Sequence, residues 1–567
     1  MKLNKEQYVA AHHVSGPMLV LAGPGSGKTH LLVERIRIMI EEKSIPPENI
    51  LVITFSKKAA RQMQARFEKR VEGNSYPVTF GTFHAVFYQI LRKYDPDINT
   101  LITDDQQNSF VREVVRSCGL TSDLFTMNEN TEKVIGMIGA YKNFGEEYYK
   151  RSEEGRALTL AERSEFETLV GGYEKLCRQE GVIDFDDMIV LCARVLYKHE
   201  SVLRRWRDRY RYILVDEFQD INDGQYRVLR LLAGDTANVF AVGDDDQSIY
   251  AFRGARPELM KKFLHQYVGC RQVTLTMNYR CSENVIGAAD TVIRHNTDRL
   301  ERPMQRHLPS KKGGLVEIIN SENTAVQAAF VCDMIEDLTG RGIYKAGEIA
   351  VLYRSSHCAV MFEKTAEERN IPLKVTAEAG VKPRRQRIHE AYRRANAHKA
   401  SRADFFLIMN NPERGLSREA LCPDTGNYIE DFRKYYANEP DKLEKVTELE
   451  RAIECYDSEE FADDEYRGTD RVSVMTAHAS KGLEFACVFV IGLQEGLFPH
   501  YKSMDEDGIR EERRLMYVAM TRAKERLYMC TVSTEHGKRP SRFAAEAAGN
   551  MRYIEDTVRL TRLSNRP

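Results

Sequence analysis

The chain has 567 residues and a formal net charge of −1 at pH 7, because its 83 lysines and arginines nearly balance its 84 aspartates and glutamates. This length predicts several domains, since a single hydrophobic core rarely grows beyond roughly 250–300 residues. The charge balance excludes a globally basic protein, so that any site for nucleic acid must be a local basic patch.

The eleven cysteines are scattered along the chain and form no CxxC pair. Their spacing argues against zinc and iron–sulfur sites and predicts reduced thiols, as in a cytosolic protein. No signal peptide opens the chain, and no apolar run approaches the roughly 20 residues of a membrane span. We therefore expect a cytoplasmic protein without a membrane partner.

The first predicted element is a short helix that begins after Asn4. Gln7 follows three residues later, and this spacing predicts a capping box at the start of the helix. The alternative is a contact between the Gln7 amide and an adenine edge, because an amide can donate and accept hydrogen bonds together.

An apolar run, a glycine-rich loop and the start of an amphipathic stretch follow one another at residues 18–29, which read MLVLAGPGSGKT. This order of strand, loop and helix start is the one that a phosphate-binding loop requires. Glycines let backbone N–H groups point at oxyanions, and the helix dipole adds to the same spot. Lys28 can reach the β- and γ-phosphates, and Thr29 offers a hydroxyl to Mg²⁺. The pattern predicts a nucleoside triphosphate site formed by Ala22, Gly23, Pro24, Gly25, Ser26, Gly27, Lys28 and Thr29.

Apolar runs predict four further strands in the first half of the chain, at residues 50–55, 78–83, 212–215 and 238–242. Polar residues follow these runs, at the place where doubly wound parallel sheets bind ligands. Residues 85–181 instead have a charged, helical pattern, which predicts a helical insertion without strands. The acidic run at 184–187 could hold a metal ion, but we interpret it as the start of a helix.

Asp216 and Glu217 come directly after the strand at 212–215. In a chain with a phosphate-binding loop, one such carboxylate can hold Mg²⁺ through its shell, and the next can polarise the attacking water. An acidic loop is the alternative. After the next strand, Gln247 could contact the γ-phosphate or that water.

Tyr250, Phe252 and Arg253 alternate aromatic and cationic side chains in the stretch that follows Gln247. Aromatic rings stack on the bases of single strands for roughly 1–3 kcal/mol each, with little sequence preference. A place in the hydrophobic core is the alternative for these aromatics. The stretch is therefore a candidate nucleic-acid contact on an exposed turn.

A second α/β pattern predicts strands at residues 315–319, 349–352, 472–475, 487–491 and 527–530. It contains no second phosphate-binding loop, so we expect it to supply groups to the first site, as an arginine finger does. ATP would then join two domains, and hydrolysis would release them. Residues 378–471 predict a helical insertion with a basic stretch, which is either a patch for phosphate groups or a solvated helix face.

Nine blocks, taken together, resemble the UvrD/Rep family of superfamily 1 DNA helicases over nearly the whole chain. They are residues 4–7, AGPGSGKT at 22–29, TFSKKAA at 54–60, GTFH at 81–84, DEFQD at 216–220, GDDDQSIYAFRGA at 243–255, NYR at 278–280, TAHASKGLEF at 476–485 and RRLMYVAMTRAK at 513–524. The resemblance implies an α/β fold with two RecA-like P-loop motor domains, each with a parallel sheet and a helical insertion. It also implies ATP and Mg²⁺ as cofactors.

The resemblance further implies domain boundaries. They are 1–84 and 185–272 for the first motor domain, 85–184 for its insertion, 273–377 and 472–545 for the second motor domain, 378–471 for its insertion, and 546–567 for a C-terminal tail. The second insertion is much shorter than the corresponding domain of the family.

The implied function is that of an ATP-dependent 3′→5′ DNA helicase and translocase, an ATP hydrolase that separates strands in DNA repair or recombination. The alternative, which the short second insertion favours, is a DNA-stimulated ATPase that removes proteins from DNA without unwinding alone. A scaffold with degenerate motor parts is disfavoured, because the catalytic motifs are intact. The implied partners are single-stranded DNA, tailed duplex DNA and repair or replication proteins, bound by a monomer or a weakly self-associating chain.

Individual residues take roles from the same resemblance. On the nucleotide side they are Gln7 and Tyr279 at the adenine, Glu484 at the ribose, Lys28 at the phosphates, Thr29 and Asp216 at Mg²⁺, Glu217 as general base, Gln247 at the γ-phosphate, and Arg280 and Arg522 as an arginine pair from the second motor domain. The positions that contact single-stranded DNA in the family are matched by Phe55, His84, Tyr250, Phe252, Arg253, Tyr353, Arg354 and His478.

Overall fold

The computed structural model describes residues 2–94, 100–127, 130–145, 148–151, 155, 157–234, 238–251, 254–300, 308–376, 384–410, 414–421, 426–454, 470–532, 539–548 and 558–563. The chain divides into two compact units. They are Met1–Ile286 with Val292–Lys312 and Glu506–Tyr517, and Gly287–Thr291 with Gly313–Asp505 and Val518–Pro567. Within the described ranges, no helix is both long and apolar enough to cross a bilayer.

Strands and helices alternate along most of the chain. The strands are β1 Met18–Ala22, β2 Ile50–Thr54, β3 Thr79–Thr82, β4 Thr100–Leu101, β5 Val182–Ile183, β6 Tyr212–Val215, β7 Asn238–Gly243, β8 Arg271–Leu275, β9 Met277–Ser282, β10 Leu308–Lys311, β11 Leu315–Ser321, β12 Ile349–Tyr353, β13 Leu373–Thr376, β14 Val472–Thr476, β15 Phe485–Val490, β16 Ala523–Val532 and β17 Val558–Leu563. The α-helices are Lys5–His12, Lys28–Arg37, Lys57–Arg70, Phe83–Tyr94, Asp104–Ser117, Asp123–Thr126, Thr131–Phe144, Tyr148–Arg151, Leu160–Gln179, Phe185–Lys198, Glu200–Arg209, Asp223–Ala233, Glu258–Gln266, Glu283–Ile293, Thr324–Gly340, Val360–Glu368, Arg384–Asn396, Arg402–Ile408, Tyr428–Tyr435, Pro440–Glu454, Glu506–Met520 and Arg542–Ala548.

The sheet of the first unit has the strand order β3-β2-β6-β7-β1-β8, and all neighbouring strands are parallel. β1 and β2 are buried throughout and apolar except for Thr54, as expected for strands of a sheet that is covered on both faces. Ile53 of β2 pairs with Val215 of β6, and Leu21 of β1 pairs with Gly243 of β7. Because these pairs lie at or next to the carboxyl ends of their strands, the loops that follow the strands meet at one edge of the sheet.

The sheet of the second unit has the order β13-β14-β12-β15-β16-β11-β17 and is also parallel throughout. The predicted α/β fold with two parallel sheets is therefore confirmed. Every strand that the apolar runs predicted is present, with ends shifted by a few residues. The unpredicted strands β8, β9 and β13 contain polar and partly exposed residues, so they leave no apolar run in the sequence.

Two stretches differ from the sequence analysis. The prediction that residues 85–181 lack strands is wrong at β4, which pairs in parallel with β5. A strand of two residues is too short to leave a periodic pattern. In the stretch 546–567, predicted as a tail, β17 pairs in parallel with β11 and extends the second sheet.

Both predicted insertions are helical in their described parts, apart from β4 and β5, and each has a hydrophobic core of its own. Helices within residues 104–179 bury an apolar cluster that includes Phe166 and Leu169. The helices between residues 384 and 454 bury another, which includes Phe432 and Leu449. Neither cluster shares residues with the cores of the two sheets.

The acidic run at 184–187 starts the helix Phe185–Lys198, as interpreted from the sequence. Oδ1 of Asp184, the N-cap residue, accepts a hydrogen bond from the N–H of Asp187 at 2.7 Å, and the N–H of Asp184 donates to Oδ2 of Asp187 at 3.2 Å. Nζ of Lys142 lies 2.6 Å from Oδ2 of Asp184 and 2.8 Å from Oδ1 of Asp187. These carboxylates therefore serve as a helix cap and as partners of a lysine.

Asp186, in the first turn of the same helix, is expected to lower stability as the pH rises. Burial and the carboxylate of Asp184 raise the pKa of Asp186 to about 6. Because this pKa exceeds that of the unfolded chain, the cost of ionisation grows from about pH 4 to about pH 6 and is then constant. Asp186→Asn should raise the free energy of unfolding by about 2 kcal/mol at about pH 7.5 and by less at about pH 5, measured by denaturant unfolding.

Asp105, an exposed acidic residue in the first turn of the helix Asp104–Ser117, offers the matched control. Asp105→Asn should change stability little at either pH. Nδ2 of Asn143 donates to Oδ1 of Asp186, and the carboxamide oxygen of the Asp186→Asn variant can still accept this bond. Equal gains at both pH values would contradict the proposed ionisation cost.

Candidate active site

The loop between β1 and the helix Lys28–Arg37 needs glycine at two positions. Gly25 and Gly27 have φ angles of 67° and 83°, in the left-handed region that favours glycine. A Cβ atom at Gly25 would lie 2.5 Å from Cβ of Arg280. A Cβ atom at Gly27 would lie 2.8 Å from Nε2 of Gln7. Side chains of neighbouring residues therefore occupy the space that a larger residue would need.

The start of the helix Lys28–Arg37 is suited to an anion. Gly27, its N-cap residue, supplies no side-chain hydrogen bond, so the first-turn N–H groups, which have no partner within the helix, are left to a ligand or to solvent. Oγ of Ser26 donates to a carbonyl of the same loop at 2.7 Å and braces it from inside. This arrangement fits the phosphate groups of a nucleotide, with Lys28 and Thr29 at the helix start.

Residues of β9 hold the loop from its other side. Nδ2 of Asn278, which is fully buried, donates to the carbonyl of Pro24 at 2.7 Å. The N–H of Tyr279 donates to the carbonyl of Gly25 at 2.8 Å. The hydroxyl of Tyr279 in turn accepts a hydrogen bond from Nδ2 of Asn4 at 3.0 Å. Asn278 is a contact that the sequence analysis missed, although it lies in a quoted motif.

Arg280 lies in the first unit and Arg522 in the second, whereas the sequence analysis assigned both to the second motor domain. β8 gives the reason, since it pairs with β1 as an edge strand of the first sheet, and the chain continues directly into β9. The backbone N–H of Arg280 donates to Oδ1 of Asn278 at 2.9 Å. By its contacts Arg280 thus groups with the first unit, and its assignment to the second motor domain stays a prediction.

Gln7 forms the predicted capping box. Its N–H donates to Oδ1 of Asn4 at 2.8 Å, and its Oε1 accepts from the N–H of Asn4 at 3.1 Å. Nε2 of Gln7 donates to the carbonyl of Ser26 at 3.0 Å, inside the protein. The capping box is therefore confirmed and also supports the loop, whereas an adenine contact from Gln7 stays a prediction.

Glu217 is held in an unusual conformation beside Lys28. Its φ and ψ are 51° and 47°, a left-handed geometry that costs a non-glycine residue roughly 1–2 kcal/mol. Oε2 of Glu217 lies 3.1 Å from Nζ of Lys28 and accepts a hydrogen bond from Nε2 of Gln219 at 2.6 Å. The structure thus brings the predicted lysine and the predicted base together, and it adds Gln219, which the sequence analysis missed.

Asp216 has an environment suited to a divalent cation. Burial, together with the carboxylate of Glu217, raises the pKa of Asp216 to about 7, and the ammonium group of Lys28 opposes this shift. The raised pKa indicates negative charge that protein groups compensate only in part. A bound Mg²⁺ would offset that charge, so the residues present fit the predicted metal.

Gln247 is connected to Glu217 through buried hydrogen bonds. Nε2 of Gln247 donates to Oδ2 of Asp244 at 2.7 Å. The N–H of Asp244 donates to Oε1 of Gln219 at 2.9 Å, and Gln219 donates to Glu217. Because all these groups follow β6 and β7, the two predicted catalytic side chains are linked at the same edge of the first sheet.

Three consecutive aspartates form part of this turn. Carboxylate oxygens of Asp244, Asp245 and Asp246 lie within 4.8 Å of one another. Each of the three carboxylates accepts hydrogen bonds from protein groups, namely Gln247, the N–H of Leu300 and the guanidinium of Arg299. We therefore interpret the three aspartates as part of an internal hydrogen-bond network.

Aromatic side chains from the same sheet edge form two pairs. Phe55, which follows β2 and is 37% exposed, stacks on Tyr250 with ring centroids 4.8 Å apart and an interplanar angle of 13°. His84 lies edge-on to the exposed ring of Phe185, with centroids 5.4 Å apart. Burial lowers the pKa of His84 and so favours the neutral form of the ring.

Phe185 is a further aromatic that the sequence analysis assigned only to a helix start. Its exposed ring beside His84 is the signal that points to a surface role, and this signal exists only in three dimensions. The predicted DNA contacts Phe252 and Arg253 lie outside the described residues.

Phe55→Ala and Tyr250→Ala are each expected to weaken binding of oligothymidine by roughly 1–3 kcal/mol, since a stacking platform is lost. The two rings touch each other, so the double variant should lose less than the sum. Fluorescence anisotropy without nucleotide measures these affinities. Tyr435→Ala, at an exposed tyrosine of the second unit, is the control. Wild-type affinity in both single variants would contradict a role in DNA binding.

In the second unit, three predicted DNA contacts lie at the carboxyl ends of β12 and β14. Tyr353 pairs with Thr476, and its carbonyl accepts from the N–H of Ala477 at 2.7 Å. Tyr353 is only 3% exposed and belongs to the hydrophobic core, which favours a structural role for its ring. Arg354 and His478 follow these strands and are partly exposed.

Glu484 and Arg522 lie at the opposite, amino-terminal ends of β15 and β16. The guanidinium of Arg522 donates to the carbonyls of Val518 and Leu483, at 2.9 and 3.2 Å, and the residue is 2% exposed. Glu484 is exposed and lies 3.0 Å from Nζ of Lys524. In this conformation the guanidinium is thus held by backbone carbonyls.

Comparisons with known proteins cover almost the whole chain. The UvrD/REP helicase N-terminal domain matches residues 3–268, and the UvrD-like helicase C-terminal domain matches residues 273–422 and 425–534. DNA helicase II of Rickettsia typhi is 30% identical over 93% of this chain and 91% of its own length. ATP-dependent DNA helicase PcrA of Staphylococcus epidermidis is 29% identical over 96% of this chain and 86% of its own. DNA helicase II of Escherichia coli is 28% identical over 96% and 87%.

Proposed function

The chain belongs to the UvrD/REP family of DNA helicases, and we propose that it moves 3′→5′ along single-stranded DNA and separates duplex strands as it hydrolyses ATP. One observation carries the proposal. Gln247, at the nucleotide side, and Tyr250, which stacks on Phe55, lie three residues apart on the turn after β7. A change at the phosphates can therefore reach the DNA-binding rings within one short segment. We place this activity in DNA repair or recombination.

In the proposed site, ATP with Mg²⁺ supplies the phosphoanhydride whose hydrolysis releases the free energy for movement. The loop N–H groups and Lys28 bind the phosphates, and Thr29 with Asp216 holds the metal. Glu217 accepts a proton from the attacking water, and Gln219 orients its carboxylate. Arg280 and Arg522 stabilise the charge on the transferred phosphoryl group. Around the nucleoside, Gln7 and Tyr279 contact the adenine and Glu484 contacts the ribose.

On the DNA side, aromatic rings and nearby cations form the proposed path. Phe55 and Tyr250 stack on bases, and His84 with Phe185 forms a second platform at the same sheet edge. Phe252, Arg253, Arg354 and His478 complete the set by family resemblance, whereas the buried ring of Tyr353 is left out of the path. The proposed path takes a single strand or the tail of a tailed duplex.

We propose the two motor domains with the boundaries given by the resemblance, modified at three segments. Residues 273–286, 292–312 and 506–517 group with the first unit by their contacts. The insertions remain residues 85–184 and 378–471. Each has its own buried core, which supports their assignment as separate subdomains.

The test of this function is ATP turnover with oligothymidine, with single-stranded RNA and with blunt duplex DNA at one stated salt concentration, since backbone binding depends strongly on salt. We expect single-stranded DNA to stimulate turnover most. Duplexes with a 3′ or a 5′ tail then test direction, and only the 3′-tailed one should separate. Lys28→Ala is the negative control. Equal stimulation by all three nucleic acids, or separation of the 5′-tailed duplex alone, would contradict the proposal.

The second candidate function is removal of proteins from DNA without unwinding alone. The shortness of residues 378–471 favours it, because the corresponding domain of the family contacts the duplex. A 3′-tailed duplex separated efficiently by the monomer would reject this candidate. Displacement of streptavidin from a biotinylated single strand, with no strand separation, would support it.

A further inference from the structure

Residues 296–300 contact two elements of the first unit that are far apart in the chain. One is the turn after β7, which carries Asp245, Asp246 and Gln247. The other is the helix Glu506–Met520, whose residues through Tyr517 belong to the same unit. We call residues 296–300 the clamp segment.

The clamp segment holds the turn through buried carboxylates. Nε and Nη2 of Arg299 donate to Oδ1 and Oδ2 of Asp246 at 2.8 and 3.1 Å, a two-pronged ion pair with a fully buried aspartate. The N–H of Leu300 donates to Oδ2 of Asp245 at 2.8 Å. Such charge-assisted pairs are strong and geometrically specific, so the position of the turn follows the position of the clamp segment.

The same segment holds the helix through arginines that are only 8% exposed. Nη1 of Arg513 donates to Oδ1 of Asn296 at 2.7 Å, and Nδ2 of Asn296 donates to the carbonyl of Arg510 at 2.9 Å. Nη2 of Arg514 lies 2.5 Å from Oδ2 of Asp298. Two arginine side chains and one backbone carbonyl of the helix thus contact residues 296–298.

A direct contact joins the helix to the far end of the turn. Oε1 of Glu511 accepts a hydrogen bond from the N–H of Ala251 at 3.0 Å, next to the stacked ring of Tyr250. The helix ends at Met520, two residues before Arg522. The helix therefore contacts the DNA side of the turn directly through Glu511. It is linked to the nucleotide side of the turn indirectly, through the clamp segment.

We propose that the clamp segment couples the binding of single-stranded DNA to the binding of nucleotide, with Arg299 as its central positioning residue. Arg299 acts through Asp246 on the turn that carries both Gln247 and Tyr250. The proposal rests on the proposed function. The alternative is that the clamp segment contributes only to stability. The two hypotheses differ in how the loss of Arg299 changes the coupling between DNA binding and nucleotide binding.

The experiment measures the Kd of the full chain for oligothymidine with and without a non-hydrolysable ATP analogue. The ratio of the two values is the coupling factor, which is typically about 5 to 150 in coupled systems. Arg299→Ala should bring the factor close to about 1 and leave the nucleotide-free Kd within about twofold of wild type. Arg299→Lys keeps the charge but not the two-pronged geometry, and should give an intermediate factor.

Arg70→Ala is the matched control, because Arg70 also makes a two-pronged ion pair with a buried carboxylate of the same unit, Glu34. It should leave the coupling factor unchanged. Asn296→Ala breaks the link to the helix without removing either member of a buried ion pair, so it tests the clamp segment if Arg299→Ala does not fold. It should also lower the factor.

A wild-type coupling factor in both Arg299→Ala and Asn296→Ala would overturn the proposal. A parallel loss of affinity for DNA and nucleotide, with the factor preserved, would do the same and assign the segment to stability. The stimulation of ATP turnover by DNA in the wild-type chain distinguishes failure of the clamp-segment proposal from failure of the proposed function. If the wild-type chain shows stimulation, only the clamp segment is rejected. If it shows none, both are.

Discussion

Arg522→Ala is expected to lower DNA-stimulated ATP turnover by roughly 10³- to 10⁵-fold, the range that arginine fingers contribute in other ATPases and GTPases. The physical reason is the loss of a fixed positive charge at the oxygens of the transferred phosphoryl group. Affinity for ATP should fall much less, because the loop and Lys28 still bind the phosphates. Steady-state turnover at saturating oligothymidine, together with nucleotide affinity, measures both quantities.

The structure makes the controls for this variant important. Arg522 also bonds to the carbonyls of Val518 and Leu483, so its loss could act through the fold. Arg522→Lys keeps the charge without the planar fork and should recover only part of the turnover. Arg542→Ala removes the ion pair with Glu495 elsewhere in the same unit and should leave turnover unchanged. Retained turnover in Arg522→Ala, with a lowered unfolding midpoint, would assign the residue to structure.

Glu217→Gln should reduce turnover by roughly 10²- to 10⁴-fold, the usual contribution of a general base. The carboxamide has the same shape as the carboxylate but cannot take a proton from water. Binding of nucleotide should persist, because the substitution frees Lys28 from its ion pair with Glu217. Single-turnover hydrolysis and DNA affinity distinguish a chemical defect from a binding defect.

Asp223 offers the control for Glu217, because it is an acidic residue six positions later whose carboxylate forms a partly buried ion pair with Arg256. Asp223→Asn should hydrolyse ATP at the wild-type rate. A Glu217→Gln variant within about tenfold of wild type would show that another group is the base. Gln219→Ala tests the orienting role, and we expect a smaller loss than for Glu217→Gln.

The sequence predicts the strand, the glycine loop and the helix start of the proposed phosphate site, because they are contiguous and each follows from local chemistry. Asp216 and Glu217 are predictable for the same reason, since they directly follow an apolar strand. Their partner Gln219 lies in the same motif, yet its role depends on β7 lying beside β6. The local sequence of one strand does not indicate which strand lies beside it in the sheet.

Longer-range contacts were beyond prediction for a different reason. Asn278 and Arg299 act on loops that precede them by tens or hundreds of residues, and their own surroundings in the sequence are unremarkable polar stretches. β8 escaped prediction because its polar residues hide an edge strand, and the contacts that group Arg280 with the first unit are equally invisible in the local sequence. Tyr353 is the converse case, because a family position for DNA contact proves to be buried.

The left-handed backbone at Glu217 has a consequence for how this protein can change over time. The residue combines an unfavourable φ angle with repulsion from the adjacent carboxylate of Asp216, so the fold is locally less stable than its architecture allows. Glycine would relieve both, although it would also lose the ion pair with Lys28. With Glu217 as the proposed general base, selection for stability and selection for activity oppose each other at this position. A glycine at the position of Glu217 in a related protein would indicate that the fold was kept while hydrolysis was lost.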